Sequence, residues 1–224
     1  MTRNLLSRPK PLGEEASQLL RRMIINGDIL PGERLVEEKL AARLGISRTP
    51  LREALHRLEQ AGILEKLVRG GYVVRPLTVQ EVEEAVDVRA VLEGHAARRA
   101  AARADESILG RFRENMARFE EANARREGRE MVRLNSEFHA LLHEAADSGL
   151  LSRLLADLGD VVERITRAMA SSLVAGSWSM DEHRQLLKAL EAGDPELAER
   201  LAREHVLRGG AWTLERMKEE NLEL

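Results

Sequence analysis

The stretch from Leu35 to Leu55 constrains this chain more than any other. Leu40 and Leu44 mark the apolar face of one short helix, and Leu51, Ala54, Leu55 and Leu58 mark that of a second. Between them stands Gly45, suited to the left-handed conformation that closes a helix. Ser47 is placed to cap the helix that follows. That helix carries Arg48, Thr49 and Arg52 on its exposed leading turns. Two short helices crossing steeply, with hydroxyl and guanidinium groups at the start of the second, is how a helix-turn-helix enters the major groove of DNA. Arginine suits guanine edges and phosphates there. A plain helical hairpin with solvated charges shares this spacing, so the surrounding sequence has to decide.

The helix expected over 47–61 ends at Gly62, and the chain continues with β-branched and apolar residues on both sides of Arg69-Gly70-Gly71. This pattern predicts a two-stranded hairpin over 63–76 with a glycine turn. A hairpin directly after a helix-turn-helix is a wing, and Arg69 and Gly70 at its tip let the backbone approach phosphates or the minor groove. Upstream, Ala16, Leu19, Leu20, Met23 and Ile24 line one face of a helix over 13–27. A turn over 28–34 then leads into the second helix, with Arg34 expected at its start, within reach of a phosphate. Residues 1–12, with Arg3, Arg8 and Lys10, read as a flexible basic arm, and 13–76 as a winged DNA-binding domain.

Net charge supports that division once it is resolved along the chain. The 224 residues carry a formal charge of −3, which by itself argues against a nucleic-acid binder. Residues 1–76 hold 14 Lys and Arg against 9 Asp and Glu, while 77–224 hold 21 against 29. A basic head on an acidic body fits a DNA reader whose remaining mass stays off DNA. The absence of cysteine excludes disulfides and thiolate metal sites. With no segment near the ~20 apolar residues of a membrane span, the chain is expected to be soluble and cytoplasmic.

From Leu77 onward the periodicity is helical. Six helices are expected, over 78–103, 105–126, 128–146, 150–174, 179–192 and 194–220, with Pro195 as the first residue of the last. Helical phase sorts the histidines. Asn135 and His139, four apart, flank the stripe of Leu134, Phe138, Leu141 and Ala145. His183 is in phase with Leu186, Leu187 and Leu190, and His205 with Ala198, Leu201, Ala202, Gly209 and Trp212. Three imidazoles and an amide are thus aimed into the bundle. A divalent metal would satisfy them; so would carbonyls or carboxylates around ordinary core histidines. His143 falls toward the outer face, and His56 and His95 read as structural. Arg89 and Glu93 share the apolar face of Val82, Val86, Ala96 and Ala100. Either they pair with each other, or Arg89 is a cavity cation for an anionic ligand.

The segment from Leu44 to Leu55, with Pro31-Gly32-Glu33-Arg34 before it and Arg69-Gly70-Gly71 after it, closely resembles the GntR family of bacterial transcription regulators. The remainder resembles the FCD effector domain of its FadR subfamily, through Arg89-Ala90-Val91-Leu92-Glu93, Asn135-Ser136-Glu137-Phe138-His139, Glu182-His183 and His205. Six helices after the wing are more similar to the VanR group than to the seven-helix FadR group. The resemblance implies that Arg34, Arg48, Thr49, Arg52, Arg69 and Gly70 match DNA-contacting positions. It also implies that Asn135, His139, His183 and His205 match a divalent-metal site, for zinc, nickel or manganese. The family usually has Asp where this chain has Asn135. An amide ligand brings no charge, so metal affinity should fall while the bound ion keeps its full +2, a stronger receptor for a small carboxylate bridging to Arg89.

The sequence therefore leads to a mainly α protein: an N-terminal winged helix-turn-helix followed, over 77–224, by an all-α six-helix FCD bundle. Its expected role is that of a homodimeric repressor, not an enzyme, reading a palindromic double-stranded DNA operator and answering to a small organic acid bound with the metal by Arg89 and Glu93. No membrane partner is expected. A metal-dependent hydrolase is the competing class, disfavoured because Glu137 points away from the Asn135/His139 flank. An architectural DNA-binding dimer with a ligand-free bundle is the third.

Overall fold

The helix-turn-helix spacing is realised residue by residue. The computed structural model describes residues 11–170 and 173–219, including the side chains of all of these except 160, 167–170 and 173–178. The expected basic arm lies outside the described residues up to position 10, and Leu12 already belongs to the first helix. The described chain divides into two compact units, one up to Pro76 and one from Leu77.

In the first unit α1 (Leu12–Ile25), α2 (Glu37–Leu44) and α3 (Arg48–Gln60) enclose a small core. Leu20, Ile24, Ile29, Leu51, Leu55 and Leu58 are almost fully buried in it. Gly45 closes α2 with φ 67° and donates its N–H to the Ala41 and Ala42 carbonyls. Ser47 occupies the N-cap position of α3 in extended conformation, but its hydroxyl makes no capping hydrogen bond, contrary to expectation.

The wing is larger than a hairpin. Strands β1 (Arg34–Leu35), β2 (Leu64–Lys66) and β3 (Tyr72–Val74) form an antiparallel sheet of order β1-β3-β2, with Arg34 opposite Val73 and Leu64 opposite Val74. Arg34 thus lies in a strand three residues ahead of α2 instead of at the helix start. The cause is burial of Leu35, which carries Arg34 onto the edge of β3. Gly71 makes this docking possible. Its φ is +85°, and a Cβ there would stand 2.7 Å from the Leu35 carbonyl oxygen, too close for any side chain.

The second unit is all helical: α4 (Val79–Ala101), α5 (Glu106–Ala124), α6 (Gly128–Ala146), α7 (Gly149–Asp157), α8 (Gly159–Ala170), α9 (Leu173–Glu191) and α10 (Pro195–Glu219). The described residues thus form seven helices where six were expected, and the reason for placing the chain with the six-helix group falls with that count. The segment read as one helix over 150–174 breaks at Leu158, beside Gly159, a residue that disfavours helix interiors. Gly176, in the gap expected between the helices over 150–174 and 179–192, lies inside α9. A lone helical glycine costs only about 1 kcal/mol, and the rest of α9 outweighs it.

Helix starts follow local chemistry. Thr78 and Glu81 make a reciprocal capping box at α4, and the Asp105 carboxylate accepts from Ile108 N–H at α5. Helices α4 and α10 form the most extensive pair in the unit, and glycine sets how closely they approach. A Cβ on Gly210 would come within 2.3 Å of Val86 Cγ1. Gly210→Ala is expected to cost about 1–2 kcal/mol by overpacking, read as a lowered urea midpoint. An unchanged midpoint would mean that this contact is looser than described. The approach matters because α4 carries Arg89 and Glu93 while α10 carries His205. Around Phe112, Phe138, Leu142, Leu186 and Leu190 the main core joins α5, α6 and α9. No described helix is long and apolar enough to cross a membrane.

Candidate functional site

In the first unit the side chains singled out for DNA are all exposed, but several are engaged. Arg52 Nε pairs with Glu37 Oε2 at 2.7 Å, and Arg48 Nη2 with Glu38 Oε1 at 2.9 Å. Two glutamates of α2 therefore hold the leading arginines of α3, and the carboxylate of Glu37 pushes the Arg52 pKa up. Exposed pairs of this kind contribute little to stability, so phosphates or base edges can displace them. Thr49 is exposed on the same turn. Arg34 Nη2 donates to the Gly70 carbonyl at 2.9 Å, tying β1 to the wing tip. Arg69 and Gly70 themselves are exposed, with Gly70 at φ +82°. His56 and His95 are exposed too and lie outside the histidine cluster described below; His56 Nδ1 lies 3.2 Å from Glu59 Oε2.

In the second unit α6, α9 and α10 bring His139, His183 and His205 together. One ring nitrogen from each lies within 4.8 Å of the others, and all three residues are buried. His183 Nε2 and His205 Nε2 are 3.2 Å apart. Two imidazole nitrogens on a shared tetrahedral zinc would be about 3.3 Å apart, given Zn–N bonds of about 2.0–2.1 Å. The rings are fixed from outside. Phe138 stacks on His183 at 4.0 Å, and His205 Nδ1 lies 2.8 Å from Glu182 Oε2. His183 Nδ1 is buried without a hydrogen-bond partner. A small cavity of about 30 Å³ lies against His139, His205, Asn135 and Arg89, room for about one ion or water. The half-buried Asn135 points Oδ1 to the Ser179 hydroxyl, 3.5 Å away. On donor type, spacing and an orphaned nitrogen, these residues fit a divalent metal.

Glu93 is the least exposed charge among the described residues, at 1%. Arg89 Nε lies 3.3 Å from its Oε1, so the expected ion pair forms. His143 Nε2 lies 3.1 Å from the other oxygen. His139 Nδ1 is 3.2 Å from Oε1, outside hydrogen-bond geometry. His143, assigned to the outer face, is thus part of the buried network. The i, i+4 spacing from His139 was visible in sequence, but the carboxylate on α4 that draws it inward was not. Arg89, Glu93, Asn135, His139 and His143 also line a larger cavity of about 220 Å³. Because Glu93 already neutralises Arg89, an entering carboxylate would not meet an unpaired cation. Glu137, by contrast, is held by Arg118 and Arg133 away from the histidines.

Burial alone would raise the Glu93 carboxyl, but His139, His143 and Arg89 outweigh it and hold it well below the carboxylate range. Burial drives His139 down to about 4, against the opposing pull of Glu93. His183 is held well below the usual imidazole range by burial and by the other two imidazoles. Unfolded histidine takes up its proton near pH 6.5. As pH falls from there toward about 4, the unfolded chain binds protons that these folded rings refuse, so the metal-free protein loses stability across that window. Below it, protonation of Glu93 removes a further contribution. Urea midpoints should decline steadily from pH 7 to 4.5; a flat profile would mean that the imidazoles are not buried neutral.

Comparison with known proteins gives this arrangement its class. The description "FCD domain" matches residues 84–208, and "Bacterial regulatory proteins, gntR family" matches 12–74. The probable D-xylose utilization operon transcriptional repressor of Paenarthrobacter nicotinovorans is 38% identical over 186 residues, 82% of this chain and 80% of that protein. The HTH-type transcriptional repressor RspR of Escherichia coli (strain K12) is 26% identical over 90% of this chain and 88% of its own. The solved structure of E. coli McbR/YncC superposes with a TM-score of 0.78 at 21% identity, covering 93% of this chain and 99% of that one, a likeness of fold. The chain belongs to the GntR family of bacterial regulatory proteins, with an FCD domain behind its winged helix, and is a transcriptional regulator.

Proposed function

We propose that this regulator is a sequence-specific, ligand-responsive repressor whose FCD unit binds a divalent metal and, on it, a small carboxylate. The observation that carries the reading is the convergence of three buried imidazoles beside a cavity shared with Arg89. His139, His183 and His205 would hold the ion, with the Asn135 amide oxygen as a neutral fourth donor. Four neutral donors leave the ion its full charge, and that charge supplies the attraction for an anion that the Arg89–Glu93 pair does not. Zinc, nickel and manganese all suit imidazole and amide donors.

In the first unit Arg48, Thr49 and Arg52 would enter the major groove, while Arg34, Arg69 and Gly70 serve the wing. Two copies related by a two-fold axis would read the halves of a palindromic operator. Binding of operator and of effector would then be linked reciprocally. Elemental analysis followed by a thermal-shift panel of small carboxylates tests the reading. The expected result is one metal per chain and carboxylate stabilisation only in the metal-loaded form. Absence of metal, with no response to any carboxylate, would favour a ligand-free DNA-binding protein.

A further inference from the structure

We propose that Glu182 is a positioning residue of the histidine cluster: it fixes the tautomer and orientation of His205 so that Nε2 faces the other two rings. This rests on the metal-centre reading above. Glu182 precedes His183 on α9 yet reaches across to α10, where its Oε2 lies 2.8 Å from His205 Nδ1. An ionised carboxylate only accepts hydrogen bonds, so Nδ1 carries the proton. In the neutral ring Nε2 is then a bare lone pair, and it stands 3.2 Å from His183 Nε2. The other carboxylate oxygen is held by Arg208 Nε at 2.9 Å, which keeps Glu182 pointed at His205. The Glu182 side chain is only 14% exposed, so little water competes for it.

The other two rings lack this device. His139 Nδ1 faces Glu93 outside hydrogen-bond geometry, and His183 Nδ1 has no hydrogen-bond partner. Of the three, His205 is the one whose donor nitrogen is aimed in advance by a well-formed carboxylate hydrogen bond, and α9 supplies both that carboxylate and the neighbouring ligand. Ligating histidines oriented in this way bind metal more tightly, and loss of the orienting group typically weakens affinity about 10–100-fold.

The test has two arms on the full chain. The first, without metal, reads the His205 tautomer by nitrogen-15 NMR of histidine-labelled protein. The Nδ1–H form is expected in the parent and in Glu182→Gln, whose amide oxygen still accepts, and a shift toward Nε2–H in Glu182→Ala. The second measures zinc affinity by competition with a chromophoric chelator. A loss of about 10–100-fold is expected for Glu182→Ala, with substantial rescue in Glu182→Gln. Arg208→Ala, which breaks the ion pair but leaves the carboxylate, should stay closer to the parent than Glu182→Ala.

If Glu182 were merely an interhelical ion-pair partner, Glu182→Ala and Arg208→Ala would lower thermal stability alike and leave tautomer and zinc affinity unchanged. That result overturns the inference. Should the parent protein fail to bind zinc, the metal-centre reading falls, and the metal-free NMR arm still decides whether Glu182 sets the tautomer.

Discussion

Replacing His183 with leucine is expected to abolish the response to metal while leaving the metal-free protein about as stable as before. His183 is fully buried between Phe119 and Phe138, and its Nδ1 has no hydrogen-bond partner. A buried polar atom left unsatisfied costs about 1–3 kcal/mol. An apolar side chain of similar size relieves that penalty but gives up the 3.2 Å contact between His183 Nε2 and His205 Nε2, a cost of similar size. With a metal at 100 times its dissociation constant the parent gains about 2.7 kcal/mol. For a chain of this length that is a rise of roughly 5–10 °C in Tm. His183→Leu should lose this rise entirely, with affinity down by more than about 100-fold, beyond what loss of a mere orienting group brings. Differential scanning fluorimetry with and without zinc separates the two effects, since only the metal-dependent one should change. A variant that is much less stable without metal, yet still stabilised by it, would show His183 to be a packing residue.

The second large effect is expected in the first unit. Arg52→Ala should weaken binding to a duplex selected by the protein itself by about 1–3 kcal/mol, roughly 5–150-fold, and relax specificity at one base position. Arg52 is now held by Glu37, and it gains on binding only where a base edge offers more than that carboxylate. On mixed-sequence DNA, where it exchanges one exposed ion pair for another, the change should be small. Arg69→Ala, at the exposed wing tip, should instead weaken all duplexes alike and reduce the salt slope by about one. Fluorescence anisotropy over a salt series distinguishes these patterns. Equal losses for Arg52→Ala on selected and mixed DNA would assign it to phosphate.

The two units were legible to different depths. Gly45, the apolar steps of α2 and α3 and the Arg-Gly-Gly turn follow local rules, and each stands where the sequence puts it. Arg34 was misplaced because a two-residue strand has no period of its own; only pairing with β3, across nearly forty residues, creates it. In the bundle, helical phase brought His139, His183 and His205 to one interior point, because a 100° step is enough to say which face is buried. Phase cannot say which helices become neighbours. The approach of Glu93 to His143, and of Glu182 to His205, depends on α4, α6, α9 and α10 meeting in three dimensions, so both carboxylates escaped as partners of those rings. The kink at Leu158 was missed for a related reason: apolar periodicity runs through it, and Gly159 alone marks the break.

The proposed function requires a charged pocket in the FCD unit to govern the grip of the winged helix on DNA. The direct measurement is affinity for a duplex enriched from genomic fragments by the protein itself, taken metal-free, with zinc, and with zinc plus a carboxylate that scores in the thermal-shift panel. Affinity is expected to change by roughly 5–150-fold between the first and last conditions, the usual range of coupling between linked sites, and His183→Leu to lose that change. Zinc and carboxylate that bind the protein tightly while duplex affinity stays constant would contradict the proposed function.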